Sequence, residues 1–248
     1  MGQQIKIGGI LNHSTVDWAK RVTSVVFFSG CQFRCPWCQN PSLVRGDGEF
    51  VFVEYVVSKI LKTRKLISGV VITGGEPTLQ REGLIELCER LRERALDIKL
   101  DTNGTNPELL SNLIEKKLIQ AVSIDFKAPS DDFETFCKVT GTNNRSYFHN
   151  FKKTLELFER ISIPVEYRTT IIPSLNDTPD VLGNIIKRLN RDDRFVLQQF
   201  SNNKDILVSN FKEFIPLSLE KMMGLAKSAK SQLNSVYIRT LETGDICV

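Results

Sequence analysis

Three cysteines within eight positions, Cys31, Cys35 and Cys38, are the side chains of this sequence best suited to chemistry. They directly follow a predicted strand. Thiols so closely spaced on one loop are typical of a metal centre rather than of three unrelated core positions. Phe33 and Trp37 lie between them and are candidates to shield such a centre from water.

The number of available ligands limits which metal this loop could hold. A structural zinc site takes four closed ligands, usually with paired cysteines. The sequence has no second pair, and its histidines are His13 and His149. Three thiolates instead suit an iron–sulfur cube with one iron left open for a substrate or cofactor. The remaining cysteines have no partner at metal-ligand spacing and are predicted to be core or bystander residues: Cys88, Cys137 and Cys247.

A second group of candidate residues lies in TGGEPTLQ (73–80), which follows another predicted strand. Gly74 and Gly75 allow the backbone to approach a ligand closely, because they carry no side chain. Glu76 offers a carboxylate to an ammonium group. Taken alone, the glycine pair is equally compatible with a simple turn.

Charged and polar residues also follow the next three strands. Asp101 and Thr102 end one strand, Asp125 and Lys127 follow the next, and Arg168 lies near the end of a third. The carboxyl ends of parallel barrel strands form one rim, so these side chains are expected there. The alternatives are a helix cap for Asp101 or Thr102, a surface ion pair for Lys127, and an ion pair of Arg168 with Glu166 or an aspartate.

Apolar β-branched runs alternate with amphipathic helical patterns along most of the chain, which predicts an α/β protein with a parallel sheet and outer helices. The number of repeats favours a full or partial barrel. No linker interrupts them, so a single domain over 1–248 is predicted. The predicted strands are 22–29, 69–73, 97–102, 120–126, 164–172, 194–200 and 235–241, and the helical patterns lie at 84–91, 109–114, 148–158 and 182–189.

The composition excludes several classes of protein. The 33 Lys and Arg against 29 Asp and Glu give a net charge of +4, with 41% hydrophobic residues. These values fit a folded soluble protein, not a disordered chain or a dedicated nucleic-acid binder. No apolar run is long enough to span a bilayer, and no signal peptide is recognisable. A cytoplasmic protein with reduced cysteines and neither a membrane nor a nucleic-acid partner is predicted.

The CxxxCxxC segment resembles the signature of radical S-adenosylmethionine (SAM) enzymes. The similarity continues through KIGGILNHSTVDW, SGCQFRCPWCQNPSLV, VVITGGEPTLQ, KLDTNGTNPELL, SIDFKAP, YRTTIIP and FVLQQF, in this order. Together these segments look like the anaerobic ribonucleoside-triphosphate reductase activating proteins, a group close to the pyruvate formate-lyase activating enzymes. The resemblance implies a radical SAM partial (β/α)6 TIM-type barrel.

The resemblance also implies a reaction. A [4Fe–4S] cluster held by Cys31, Cys35 and Cys38 would bind SAM at its fourth iron and cleave it reductively. The resulting 5′-deoxyadenosyl radical would take hydrogen from a glycine of a partner, here anaerobic ribonucleotide reductase. The electron donor would be a flavodoxin or ferredoxin.

The residues assigned to SAM binding by this resemblance are Trp37, Gly74, Gly75, Glu76, Asp101, Thr102, Asp125, Lys127 and Arg168. In this assignment Lys127 meets the SAM carboxylate, and the Glu76 motif contacts the SAM amino group. Asp101, Thr102 and Asp125 would help to hold a monovalent cation near SAM.

Three positions depart from the family pattern. Gln39 stands where many members have His, Ala19 where Pro is frequent, and Ser174 where Gly is usual. These departures bear on the identity of the partner, because none removes a cluster ligand. Two alternatives stay open: a radical SAM enzyme acting on a small molecule, such as a 7-carboxy-7-deazaguanine synthase, and a non-catalytic metal-binding module.

Overall fold

Each of the seven predicted strands is present in the structure, a computed structural model that describes residues 2–202, 205–240, 242 and 244–248. Position 241, the last of the final predicted run, lies outside the described residues. The strands are β1 (Gln4–Ser14), β2 (Thr23–Phe28), β3 (Glu49–Phe52), β4 (Gly69–Gly74), β5 (Asp97–Thr102), β6 (Ala121–Asp125), β7 (Val165–Ile171), β8 (Arg194–Gln199), β9 (Ser235–Thr240) and β10 (Gly244–Cys247).

The four predicted helical patterns are confirmed as α3, α4, α6 and α7 of the following series. The helices are α1 (Pro41–Arg45), α2 (Val53–Leu61), α3 (Arg81–Arg92), α4 (Pro107–Glu115), α5 (Phe133–Thr140), α6 (Arg145–Phe158), α7 (Pro179–Ile186) and α8 (Leu219–Ala229). Helix α4 begins after Asn106, whose side chain accepts a hydrogen bond from Leu109 N. The cap of α4 is therefore Asn106 and not Asp101 or Thr102. Among the described residues, no helix combines the length and apolar character needed to cross a bilayer.

The chain forms two compact units, each assembled from several segments. The first comprises Met1–Gln32, Ser42–Ser123 and Asn150–Pro164, and the second comprises Phe33–Pro41, Ile124–His149 and Val165–Val248. The single domain over 1–248 stays a prediction.

In the first unit, neighbouring strands run in the order β3-β1-β2-β4-β5. Strands β2, β4 and β5 are parallel, with Phe28 opposite Gly74 in the first pairing. The carboxyl ends of these strands therefore lie at one edge of the sheet. The predicted site residues of this unit come directly at or after these ends. Val25, Val26 and Ile72 are buried in these strands, as expected when both faces of a sheet are covered.

In the second unit, β7, β8 and β9 pair in parallel, with Ile171 opposite Gln199, and β10 adds to β9 in the antiparallel direction. The antiparallel strands β1, β3 and β10 were not predicted. Strand β1 contains two adjacent glycines and an irregularity between Ile7 and Gly9, so it lacks the regular alternation that indicates a strand.

Candidate active site

The cysteine loop of the second unit is anchored to the end of α5. The backbone N–H of Arg34 donates to the carbonyl of Thr140 over 2.8 Å. Gly141 has a φ of +64°, and a Cβ built there would lie 2.4 Å from the Arg34 carbonyl oxygen. Glycine is needed at this position because both the backbone angle and the close approach exclude a side chain.

Ser201 and the segment 205–211 hold the other side of this loop. The Leu207 N–H donates to the Cys38 carbonyl and the Val208 N–H to the Pro36 carbonyl, both over 3.0 Å. These bonds involve backbone atoms, so sequence patterns give no signal for them. They fix the loop carrying two of the three cysteines from a position about 170 residues later in the chain.

Side chains of the loop add further contacts to these residues, from Gln39 and Trp37. Gln39 Nε2 donates to the Ser201 carbonyl over 3.0 Å, so the residue that departs from the family pattern tethers the loop. Trp37 is 6% exposed and packs on Phe211, with ring centroids 6.0 Å apart. The indole is thus buried against Phe211, and its role in excluding water from a metal centre stays a prediction.

The three predicted cluster cysteines are not joined in disulfides in this structure. Cys31 belongs to the first unit, and Cys35 and Cys38 to the second. Within the described residues, no group of three or more His, Cys, Asp and Glu side chains is already arranged as a metal site. The three-thiol ligand set therefore stays a prediction from the sequence. Burial raises the pKa of the Cys38 thiol, against a backbone hydrogen bond from Asn40 and the charge of Lys127.

The second unit contains a charged group, the Lys127 group, which consists of Asp125, Lys127 and Arg168. Lys127 Nζ lies 2.7 Å from Asp125 Oδ2, and Arg168 Nη2 lies 3.2 Å from Asp125 Oδ1. Of the ion pairs that the sequence left open to Arg168, the one with an aspartate is present. Two cations against one anion leave a net positive charge in this group.

The ionisation of this group follows from its geometry. Burial raises the pKa of the Asp125 carboxyl, but the adjacent Lys127 and Arg168 cations outweigh burial and lower that pKa to about 2. Burial lowers the pKa of the Lys127 ammonium, but Asp125 and the Cys35 thiolate outweigh burial and raise that pKa. Lys127 is therefore charged and faces both a carboxylate and a cluster cysteine.

Gly74 and Gly75 lie directly against the backbone that leads to Cys31. The N–H of Gly75 donates to the Phe28 carbonyl, and the N–H of Glu76 donates to the Gly30 carbonyl, each over 2.8 Å. A Cβ on Gly75 would lie 2.1 Å from the Gly30 oxygen. The glycines thus permit a close approach to the protein's own backbone, and the predicted approach to a ligand stays a prediction.

The Glu76 side chain is fully buried and joins two loops of the first unit. Its Oε1 accepts hydrogen bonds from Thr78 N, Thr78 Oγ1 and Thr102 Oγ1, and its Oε2 accepts one from Asn103 N. Burial raises the pKa of this carboxyl, against these four donors. The predicted contact between the Glu76 motif and an amino group stays a prediction, because the carboxylate itself is occupied here.

The Gly75→Ala variant is expected to unfold more easily than the wild type by about 2 kcal/mol, because the new methyl group must displace the Gly30 backbone. Urea unfolding under anaerobic conditions measures this change. Gly224→Ala is the matched control, since Gly224 lies in α8 with open space at its Cβ. That control is expected to gain about 0.5–1 kcal/mol. Equal effects of the two substitutions would contradict the proposed close packing.

The residues present fit an iron–sulfur cluster and SAM in their chemistry. Cys35 and Cys38 are held on a loop with a buried tryptophan, and the loop lies in the same unit as the positively charged Lys127 group. Lysine and arginine make strong, charge-assisted hydrogen bonds to a carboxylate such as that of SAM. The sequence analysis missed Asn103, which bonds Glu76, and Lys99, which pairs with Asp101. Both were visible in KLDTNGT, but only as part of a strand and a turn.

Comparison with known proteins places this chain in a family. The profile of the Radical SAM superfamily matches residues 25–182, which include all three cysteines of the loop and Glu76, Asp101 and Lys127. This chain belongs to the Radical SAM superfamily. Its relatives narrow the assignment to the enzymes that activate glycyl-radical enzymes.

A protein of Methanocaldococcus jannaschii, provisionally named a glycyl-radical enzyme activating enzyme, is 34% identical over 95% of this chain and 96% of its own length. The pyruvate formate-lyase-activating enzyme of Clostridium pasteurianum is 31% identical over 68% of this chain and 71% of its length. The 7-carboxy-7-deazaguanine synthase of Methanopyrus kandleri is also 31% identical, over 70% of this chain and 82% of its length.

A radical SAM methyltransferase from Sphaerobacter thermophilus has the same fold. It superposes with a TM-score of 0.67 at 16% identity and covers 90% of this chain and 67% of its own. The fold of this radical SAM enzyme is therefore the family's α/β fold with a mostly parallel sheet and helices, as predicted. The family binds a [4Fe–4S] cluster and SAM, and its glycyl-radical activating members act on a glycyl-radical enzyme as partner.

Proposed function

We propose that this radical SAM enzyme generates the glycyl radical of an anaerobic ribonucleoside-triphosphate reductase. The observation that carries the proposal is the Lys127 group. Its net positive charge faces the Cys35 thiolate and suits the carboxylate of SAM. The similarity along nearly the whole chain to a protein named for glycyl-radical enzyme activation supports the choice of a glycine as target.

Each proposed site residue has a task in this scheme. Cys31, Cys35 and Cys38 hold the cluster, and Trp37 excludes water from their loop. Lys127 and Arg168, with Asp125 between them, bind the carboxylate of SAM. The cluster and SAM, when bound, supply an abstraction of hydrogen by the 5′-deoxyadenosyl radical.

The loops of the first unit also have tasks in this proposal. Gly74 and Gly75 present backbone atoms to the SAM amino group. Glu76 holds their loop to Thr102 and Asn103 through its buried carboxylate. Rigid placement of this kind contributes to catalysis, because the bound reactants lose little further freedom on the way to the transition state.

The remaining partners are also part of the proposal. A flavodoxin or ferredoxin supplies the electron, and the protein works in the cytoplasm, where such donors and reduced thiols are available. A monovalent cation near SAM, as the family resemblance implies, would have to bind Asp101, Thr102 and Asp125. Each of those three side chains already has a partner within its own unit.

The test is anaerobic incubation with SAM, a reductant and a candidate anaerobic ribonucleotide reductase. Electron paramagnetic resonance is expected to show a glycyl doublet on the reductase, together with one 5′-deoxyadenosine per radical. The matched control replaces the target glycine of the reductase by alanine, which leaves SAM cleavage possible but removes the radical site. The same doublet in that control would refute the assigned target.

The similarity to the Methanopyrus kandleri enzyme supports a second candidate, a radical SAM reaction on a small molecule. A deuterium-labelled pterin distinguishes the two candidates. Deuterium in 5′-deoxyadenosine after incubation with the labelled pterin, and no glycyl doublet on any reductase, would favour the 7-carboxy-7-deazaguanine synthase reaction. Stoichiometric zinc without iron or sulfide in protein purified without air would favour the non-catalytic metal-binding module instead.

A further inference from the structure

Lys99 and Asp101 form a buried ion pair in the first unit. Lys99 Nζ lies 3.3 Å from Asp101 Oδ1, and the two side chains are 4% and 8% exposed. The ammonium also donates a hydrogen bond to the carbonyl of Asp17 in the loop after β1. A charge removed from water in this way is strongly unfavourable unless it is paired.

Both members of this ion pair lie on β5. Residues two apart on a strand project from the same face, so Lys99 and Asp101 meet without help from another element. Thr102 is the next residue, and its hydroxyl donates to Glu76 Oε1 over 2.9 Å. The ammonium of Lys99 thus lies beside Asp101, while the hydroxyl of Thr102 is directed to Glu76.

We infer that the Lys99 ammonium is a built-in cation, which takes the place of a monovalent metal ion beside Asp101. The role of this pair next to bound SAM rests on the proposed function. The positive charge that an inorganic ion would supply is carried instead by a side chain of β5. Asp101 therefore needs no ion from solution. Lys99 is thus a positioning residue, because it acts on the site through Asp101.

The inference makes a prediction about salts. Wild-type protein is expected to melt at the same temperature, and to cleave SAM at the same rate, in potassium chloride and in choline chloride of equal ionic strength. Lys99→Met removes the ammonium and leaves the Asp101 carboxylate buried without it. This variant is expected to melt lower in choline chloride and to recover in potassium chloride, because bound potassium stabilises the folded state.

Two further variants separate a built-in cation from a purely structural lysine. The double variant Lys99→Met/Asp101→Asn carries neither charge, and it is expected to melt higher than the single variant in choline chloride, with no response to potassium. Lys187→Met is the matched control, since Lys187 pairs with Asp131 over 2.6 Å at an exposed site. No potassium response is expected there, because water already solvates Asp131.

Defined outcomes overturn the inference. A wild-type protein that needs potassium or sodium for SAM cleavage would show that Lys99 does not replace the ion. A Lys99→Met variant whose lowered melting temperature rises equally in potassium chloride and in choline chloride would show that Lys99 is a structural clamp only. If Lys99→Met does not fold in choline chloride, folding of the double variant in that salt supports the inference and its failure to fold refutes it. Melting requires no SAM chemistry, so failure of this inference is distinguishable from failure of the proposed function.

Discussion

Cys35→Ala is expected to lose its iron–sulfur cluster and to cleave SAM no faster than the reductant does without protein. A cube held by three thiolates leaves its fourth iron for SAM, so removal of one thiolate leaves two protein ligands for the whole cluster. Cys35 is 9% exposed, and its charge acts on the ammonium of Lys127. Iron and sulfide analysis of anaerobically purified protein, with 5′-deoxyadenosine as the reaction product, measures both effects.

Two other cysteines provide controls for this substitution. Cys247 is exposed on β10, and Cys247→Ser is expected to keep the cluster and full SAM cleavage. Cys88 is fully buried on α3, where burial strongly raises the pKa of its thiol, so Cys88→Ala is expected to lower stability without loss of iron. Full SAM cleavage by Cys35→Ala, or equal iron loss in Cys247→Ser, would be incompatible with the proposed ligand set.

Glu76→Gln is expected to lower the free energy of unfolding by about 3 kcal/mol, because hydrogen bonds to a charged, buried acceptor are the strong ones. With the amide oxygen facing Thr78, the amide NH2 meets the N–H of Asn103, and two donors then oppose each other. Turning the amide over places the NH2 against the N–H of Thr78 and forces the hydroxyls of Thr78 and Thr102 to turn from donors to acceptors. Urea unfolding under anaerobic conditions measures the loss, which is expected at an unchanged slope with urea concentration.

The same substitution at Glu86 is the matched control. Glu86 Oε2 accepts one hydrogen bond from Gln3 N over 2.7 Å at an exposed site, where water replaces lost partners. Glu86→Gln is expected to lower the free energy of unfolding by less than about 1 kcal/mol. If Glu76→Gln were as stable as Glu86→Gln, the buried carboxylate would not be what holds the two loops together.

The central strands and helices were predictable because their residues are buried in a regular pattern. Runs such as GVVIT at 69–73 are apolar on both faces, which is the composition of a covered parallel strand. Helix α3 shows an apolar residue every three or four positions. The edge strands β3 and β10 escaped prediction, because a strand with a neighbour on one side is more exposed and its sequence is less constrained. Strand β1 escaped prediction because its adjacent glycines and its irregularity break the regular alternation.

Part of the candidate site was predictable from local chemistry. The spacing of the three cysteines and the glycine pair before Glu76 indicated a cofactor loop from residue types alone. The partner of Arg168 was not predictable, since both Glu166 and an aspartate were open to it. The structure pairs Arg168 with Asp125, while Glu166 pairs with Arg194 and Arg239.

The function of Glu76 shows the limit of motif analysis. A carboxylate in a glycine-rich loop suggests a ligand contact, but whether it reaches a ligand or the protein depends on the surrounding donors. Those donors are Thr78, two positions away, and Thr102 and Asn103, more than twenty positions away. Sequence spacing carries no information on the second kind of partner.

The sequence by itself determined the family, the strand–helix alternation and the thiols, because each depends on residue types and spacings within short segments. Only the tertiary structure decided which charges meet, that segment 205–211 holds the cysteine loop, and that Lys99 neutralises Asp101. The physical reason is that hydrogen bonds and ion pairs act over a few ångströms. The strands must first be placed side by side, and their register then selects the partners.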